Sequence, residues 1–224
     1  MQSIYIETYG CSNNIAESQM MKGILASKGF IITNKIEDSD IVIINTCAVK
    51  EATVNKMFYR IKELLANYPE KKIVIAGCLP ETHYKELKEI APQASIVSTN
   101  HITKIDKAIL KIMKGEIVEF IGKNKEVKVC LPRIRDNKHI AIIPICSGCN
   151  SFCYFCATKF AKGNVFSFPE DKIIKEIKLL KEAGTKEFWI TAQDVSSYGL
   201  DYNNKSLLPN LLEKILSNVK GKYF

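Results

Sequence analysis

The sequence contains no run of eighteen apolar residues, the length a helix needs to cross a bilayer. Its opening, MQSIYIETYG, lacks the basic region, apolar core and small-residue cleavage site of a secretory signal. These absences set the expectation of a cytoplasmic protein with no membrane partner. Arginine is scarce: Arg60, Arg133 and Arg135 stand against 29 lysines. The formal charge of +8 therefore suits an anionic partner such as nucleic acid, and it equally suits a lysine-rich genome or a thermophilic source. Histidine is scarcer relative to need, with His83, His101 and His139 all away from any close cysteine pair, so they read as surface or loop residues.

Cysteine is present in quantity, at eight residues. A reducing cytosol disfavours a disulfide framework, and a 224-residue chain with enough apolar residues for packed cores has no need of one. Metal binding is the leading explanation.

The first hundred residues alternate buried-strand patterns (SIYIETYG, IVIINTC, KIVIAGC, ASIVSTN) with amphipathic stretches. Val54, Met57, Phe58, Ile61, Leu64 and Leu65 recur at helical spacing before Pro69. Similar stretches precede Gly29 and Gly115. This predicts an α/β domain with a parallel sheet over residues 1–114. Residues 115–138 carry charge without a sustained period and read as a linker. From 139 a second strand–helix series begins: HIAIIPIC, a helix announced by a Ser167–Glu170 capping box, the strand KEFWITAQD and the helix LPNLLEKILSNV. Residues 139–224 hold two units of a β/α barrel, whereas a complete one takes about 250 residues. Either the chain is a fragment or another chain completes the fold.

The segment CSGCNSFCYFC spaces its cysteines as Cys146-x2-Cys149-x3-Cys153-x2-Cys156. Zinc knuckles need a longer interval between their pairs, and the ferredoxin order is different. The last three, Cys149-x3-Cys153-x2-Cys156, can hold three irons of a cubane and leave the fourth open to react. Cys146 lies outside this pattern and reads as a packed thiol. Cys130 has no partner at ligand spacing and reads as structural. Cys11, Cys47 and Cys78 each end a predicted strand, so in a parallel sheet they would gather at one edge, where α/β proteins place ligands. A second iron–sulfur cluster is expected there, against the simpler reading of three buried thiols.

The C-x3-C-x2-C motif after a barrel strand, with Phe155 before its third cysteine, resembles the radical S-adenosylmethionine superfamily. TYGCSNN, NTCAVKEA and GCLPE resemble the N-terminal domain of its methylthiotransferases. LPRIRDN, CATKFAKGNVFSFP and ITAQDVSSYG look most like the archaeal and eukaryotic branch, which acts on carbon 2 of N6-threonylcarbamoyladenosine beside the tRNA anticodon. The resemblance implies a methylthiotransferase domain followed by the first part of a radical-core barrel. It implies two [4Fe-4S] clusters, a radical cluster on Cys149, Cys153 and Cys156 and an auxiliary one on Cys11, Cys47 and Cys78. It also implies S-adenosylmethionine near residues 191–194, with Gln193 the chosen contact, and tRNA as partner. In the family, one S-adenosylmethionine methylates a sulfur presented by the auxiliary cluster, and a second furnishes the radical that activates the adenine carbon. No side-chain acid or base is expected to be catalytic, because an aromatic C–H is neither acidic nor electrophilic.

The family's remaining barrel half and tRNA-gripping β-barrel are not in this sequence and would come in cis or from a second chain. The reductant and sulfur source are unassigned. Sister enzymes acting on isopentenyladenosine tRNA or a ribosomal protein would keep the same six cysteines, and a non-catalytic iron–sulfur protein is a further alternative. Arg133 and Arg135 are candidates for tRNA phosphate, and Lys159 and Lys162 for substrate phosphate or S-adenosylmethionine.

Overall fold

The structure is a computed structural model describing residues 2–219. Residue 1 and residues 220–224, the end of the expected second unit, lie outside the described residues.

The four β-branched runs become neighbouring strands of a six-stranded parallel sheet with the order β2-β1-β3-β4-β5-β6. The strands are β1 (Ser3–Thr8), β2 (Ile31–Thr33), β3 (Ile41–Thr46), β4 (Lys72–Gly77), β5 (Ser95–Ser98) and β6 (Glu119–Phe120). Strand β3 is buried along its whole length and shows how the layers form. Ile41 and Ile43 point to one face, beside Met21, Ile24, Ile105 and Ile109. Val42 and Ile44 point to the other, beside Val54, Met57, Ile61 and Leu87. The period of two in a strand sends alternate residues into opposite cores. Helices α1 (Ser12–Ser27) and α5 (Ile105–Met113) therefore cover one face, and α2 (Glu51–Asn67) and α4 (Tyr84–Ile90) the other. Between β4 and α4 lies the short helix α3 (Leu79–Thr82). This is the doubly wound order, with its switch point between β1 and β3.

Residues 115–138 hold more structure than a linker pattern predicts. They supply edge strand β6 and bury Glu126, Lys128 and Val129. They also cross α1 at Gly23, where an added Cβ would stand 2.3 Å from the Pro132 carbonyl and 2.4 Å from the Arg133 nitrogen. Ile134 N–H donates to the Gln19 carbonyl in the same crossing.

The second half pairs β7 (Ile140–Pro144) in parallel with β10 (Glu187–Thr191). Helices α7 (Glu170–Glu182) and α8 (Leu208–Val219) pack on this pair through Ile173, Ile177, Leu211 and Ile215. A small antiparallel pair, β8 (Cys146–Ser147) with β9 (Phe166–Ser167), closes the cysteine loop, which ends in α6 (Ala157–Lys162). The expected capping box is absent: α7 begins at Glu170 behind Pro169, with no side-chain cap. The Ser167 hydroxyl is instead taken by the Gly199 N–H at 2.8 Å, because Ser167 lies in β9.

Helix α1 belongs to both halves. Met21, Ile24 and Leu25 face the sheet, while Ala16 and Met20 pack on Ile142 of β7. Its buried positions run almost all round, which explains why Asn13, Asn14, Glu17, Ser18 and Gln19 are buried despite their polarity.

Candidate metal centre

Cys11, Cys47 and Cys78 follow β1, β3 and β4, which are consecutive neighbours in the sheet. The register aligns them. Thr8 pairs with Asn45 and Thr46 with Gly77, so one step further the Cys47 and Cys78 positions are level. Cys78 N–H donates to the Thr46 carbonyl at 3.0 Å, and Tyr9 N–H to the Asn45 carbonyl at 2.9 Å. Gly10, at φ +110°, lies against Cys47: an added Cβ would stand 2.7 Å from the Cys47 Cβ and 3.0 Å from its Sγ. Only glycine allows that approach at that φ. Asn14 ties two of the strand ends together. It receives the Cys11 thiol at 3.3 Å on Oδ1 and donates from Nδ2 to the Thr46 carbonyl at 2.8 Å.

Cys11 is exposed, whereas Cys47 and Cys78 are buried. Burial pushes the Cys78 thiol up to about 12, and the ammonium of Lys162 works against that rise. Cys11 and Cys47 flank the switch point of the sheet, the crevice where doubly wound folds bind ligands, and Cys78 ends the next strand. Among the described residues, no three His, Cys, Asp or Glu side chains converge tightly enough to hold a single metal ion. A cubane asks for something else, since each thiolate takes its own iron. Thiols on adjacent strand ends, which are about 4.8 Å apart from strand to strand, fit separate corners better than one shared ion.

The second cysteine set occupies the loop between β8 and α6. Cys149 and Cys156 are half-buried and Cys153 is exposed. Cys149 N–H donates to the Gly163 carbonyl at 3.1 Å and Cys156 N–H to the Cys153 carbonyl at 3.0 Å. Gly148 (φ +80°) permits the entry turn, since an added Cβ would stand 2.1 Å from the Asn164 carbonyl oxygen. Its N–H donates to Gln193 Oε1 at 2.7 Å, so Gln193 braces the loop from the end of β10. Phe152, Tyr154 and Phe155 project into solvent around the thiols. Cys146 is buried beneath the loop, its Sγ 3.8 Å from the Asp194 carbonyl.

The elements that carry the two sets meet at one seam. Ser12, next to Cys11, lies within hydrogen-bonding distance of Thr191 at the end of β10, Oγ to Oγ1 at 3.0 Å. Helix α6 packs beside α3, which starts directly after Cys78. Asn100 Nδ2 donates to the Ala161 carbonyl at 3.0 Å across the same seam.

The remaining candidates have partners within the fold. Arg133 is buried and unavailable to phosphate: its guanidinium donates to the Ile142 and Lys128 carbonyls, and its Nε is 2.8 Å from Glu176 Oε1. Arg135 donates to the Ile140 carbonyl and to Thr185. Lys162 is sealed in the interior, bonded to Glu17 and Thr99. Lys159 donates to the Cys149 carbonyl and stacks over Phe152 at 4.7 Å, so it shapes the loop. Cys130 adopts φ +57° and gives its thiol to the Lys172 carbonyl. His83 and His101 bond to Thr82 and the Ile121 carbonyl, away from both cysteine sets.

The group that sequence reasoning missed is Glu17. Its Oε1 accepts from Lys128 Nζ at 2.7 Å, Lys162 Nζ at 2.9 Å and Thr99 Oγ1 at 2.7 Å, with every partner buried. The only signal was an acidic residue in the middle of a helix whose apolar positions leave no solvent face. Its partners lie 82, 111 and 145 residues away, beyond any local pattern.

Residues 3–99 match the family described as "Uncharacterized protein family UPF0004". Curated relatives align with nearly the whole chain. A probable threonylcarbamoyladenosine tRNA methylthiotransferase of Methanothermobacter thermautotrophicus is 39% identical over 218 residues, which is 97% of this chain and 50% of the relative. The human threonylcarbamoyladenosine tRNA methylthiotransferase is 34% identical over 96% of this chain and 38% of its own length. That of Pyrococcus horikoshii, again described as probable, is 34% identical over 100% of this chain and 52% of its own.

The chain belongs to the methylthiotransferase family, in its archaeal and eukaryotic branch.

It spans about half, or less, of the length of the methylthiotransferases it matches. Among solved structures, the radical S-adenosylmethionine methyltransferase TsrM of Kitasatospora setae aligns with a TM-score of 0.64 at 14% identity, over 96% of this chain and 50% of that one. The cobalamin-dependent radical enzyme OxsB aligns at 0.62 and 11% identity, over 97% and 37%. Both likenesses concern the fold, and they agree with a doubly wound domain leading into the start of a β/α barrel. Among the described residues no helix is long and apolar enough to cross a membrane.

Proposed function

We propose that this chain forms the N-terminal domain and the opening of the radical core of an enzyme that places a methylthio group on carbon 2 of N6-threonylcarbamoyladenosine in tRNA. The observation that carries the reading is a shared seam: Ser12, beside Cys11 at a strand end, meets Thr191 at the end of β10, and Gln193 just beyond β10 braces the C-x3-C-x2-C loop. The names of the relatives supply the substrate.

In this reading Cys11, Cys47 and Cys78 hold an auxiliary [4Fe-4S] cluster, and Cys149, Cys153 and Cys156 hold one whose fourth iron binds S-adenosylmethionine. Bound there, the open cluster would donate one electron to cleave S-adenosylmethionine, and the auxiliary cluster would present the sulfur. The chain's own residues bind and orient. Gly10 lets the β1 end close onto Cys47, Asn14 fixes Cys11, and Gly148 with Gln193 sets the loop. Gln193 is the proposed S-adenosylmethionine contact at the end of β10. Residues 1–114 act as the auxiliary domain, 115–138 as the connection and 139–224 as an incomplete radical core. The remaining barrel and a tRNA-binding β-barrel would be supplied by further sequence or a second chain, in the cytoplasm, with a cellular reductant and sulfur donor.

Anaerobic reconstitution tests the reading. The chain should take up iron and acid-labile sulfide for two [4Fe-4S] clusters, and Cys149→Ala or Cys47→Ala should each remove one. Iron content indifferent to both substitutions would sink the assignment. Nucleoside analysis of a deletion strain should show loss of the methylthio group from threonylcarbamoyladenosine alone.

A further inference from the structure

Glu17 carries more positive charge than it can neutralise. Two ammonium groups, from Lys128 and Lys162, share its Oε1, and all three side chains are at most 5% exposed. Its Oε2 is buried without a hydrogen-bond partner. The next carboxylate, Glu126, is used by the Thr103 N–H at 3.0 Å and by Asn124 Nδ2, and bonds to neither ammonium. With both lysines protonated the mutually bonded groups hold a net charge of +1 out of water; burial pulls the Lys128 ammonium down while Glu17 and Glu126 support its charge, and such an excess is costly unless an anion lies beside it. Lys162 also sits at the end of α6, against the helix that begins after Cys78.

We propose that Glu17, Lys128 and Lys162 form a buried charge triad whose excess cation balances the anionic cluster held by Cys11, Cys47 and Cys78. Lys162 is its positioning residue. This rests on the assignment of those cysteines made above. Three thiolates around a [4Fe-4S] core leave a net negative charge, and that charge grows by one on reduction. A fixed cation beside it favours the reduced state, and reduction potentials of such clusters follow local charge and hydrogen bonding. The same side chain holds α6, and with it the C-x3-C-x2-C loop, against the sheet edge. One ammonium therefore couples the position of one cysteine set to the charge of the other.

The test uses the 224-residue chain carrying Cys149→Ala, Cys153→Ala and Cys156→Ala, so that only the strand-end cluster remains, with its potential followed by EPR-monitored redox titration. Lys162→Met lowers the triad to zero charge and should lower the potential. Glu17→Gln raises it to +2 and should raise the potential. Each shift should change the oxidised-to-reduced ratio at a fixed potential about tenfold, about 59 mV for one electron. Lys162→Arg should stay near the parent. Should Lys162→Met fail to fold by circular dichroism, Lys128→Met removes the same charge and must lower the potential. Unchanged potentials, or Lys162→Met and Glu17→Gln shifting in the same direction, overturn the triad's role while the cluster assignment stands. Failure of the parent to bind iron, or binding indifferent to Cys47→Ala, defeats the assignment itself.

Discussion

Glu17 shows how one side chain can be costly and necessary together. Burial alone would raise its carboxyl, but Lys128 and Lys162 outweigh that and hold it at about 2, down from 4.5. A depressed carboxyl contributes stability that is complete above the unfolded value and disappears as pH falls through the folded one. The contribution should therefore be present above about pH 4.5 and lost towards pH 2, with a magnitude on the order of 3 kcal/mol. Urea unfolding between pH 6 and pH 2.5 measures it. Glu17→Gln should flatten that acid limb and destabilise the chain at neutral pH, because it leaves two buried ammonium groups without an anion. A variant that keeps the parent's acid limb would show that other carboxylates carry it.

Helix α1 has two partners, so its substitutions do not follow helix propensity. Gly→Ala inside a helix ordinarily gains about 1 kcal/mol. At Gly23 the new methyl would meet backbone atoms of residues 132 and 133, and backbone held across a helix has little room to give. Gly23→Ala should therefore destabilise by about 1–3 kcal/mol, seen as a fall of several degrees in Tm. A rise in Tm would mean that the 115–138 segment moves away without cost. The same crossing explains Arg133. A linker that only joined two domains would leave its arginines in water, whereas this one is bound to α1, β7 and α7 and spends them on carbonyls and Glu176. Neither crossing nor pairing has a local sequence signature, so the phosphate-contact expectation failed for Arg133.

At the scale of the molecule, the shared helix joins what two separate hydrophobic patterns suggested were independent halves. Met20 and Ala16 reach Ile142 from the face opposite the sheet, and Lys162, Asn100 and Ser12 cross the same seam. The halves should unfold together. Trp189, the single tryptophan, lies in β10 and reports the second half, while far-UV circular dichroism is weighted to the larger first half. Urea transitions by the two probes should coincide. Separated midpoints would show that the seam contributes little to stability.

The sequence alone determined the parts that depend on near neighbours. The continuous β-branched run IVIINT and the helical spacing of residues 54–65 predicted strand and helix because backbone geometry is set by adjacent residues. The 149–153–156 spacing singled out three thiols from four because one loop carries them all. The sequence also expected Cys11, Cys47 and Cys78 at one sheet edge, but only the tertiary structure decided that β1, β3 and β4 are consecutive, which puts them on neighbouring strand ends, and that Glu17 meets Lys128 and Lys162. Strand order and buried charge pairing come from how α1 and the crossing segment pack between two cores, and contacts over 111 and 145 residues leave no periodicity in the chain.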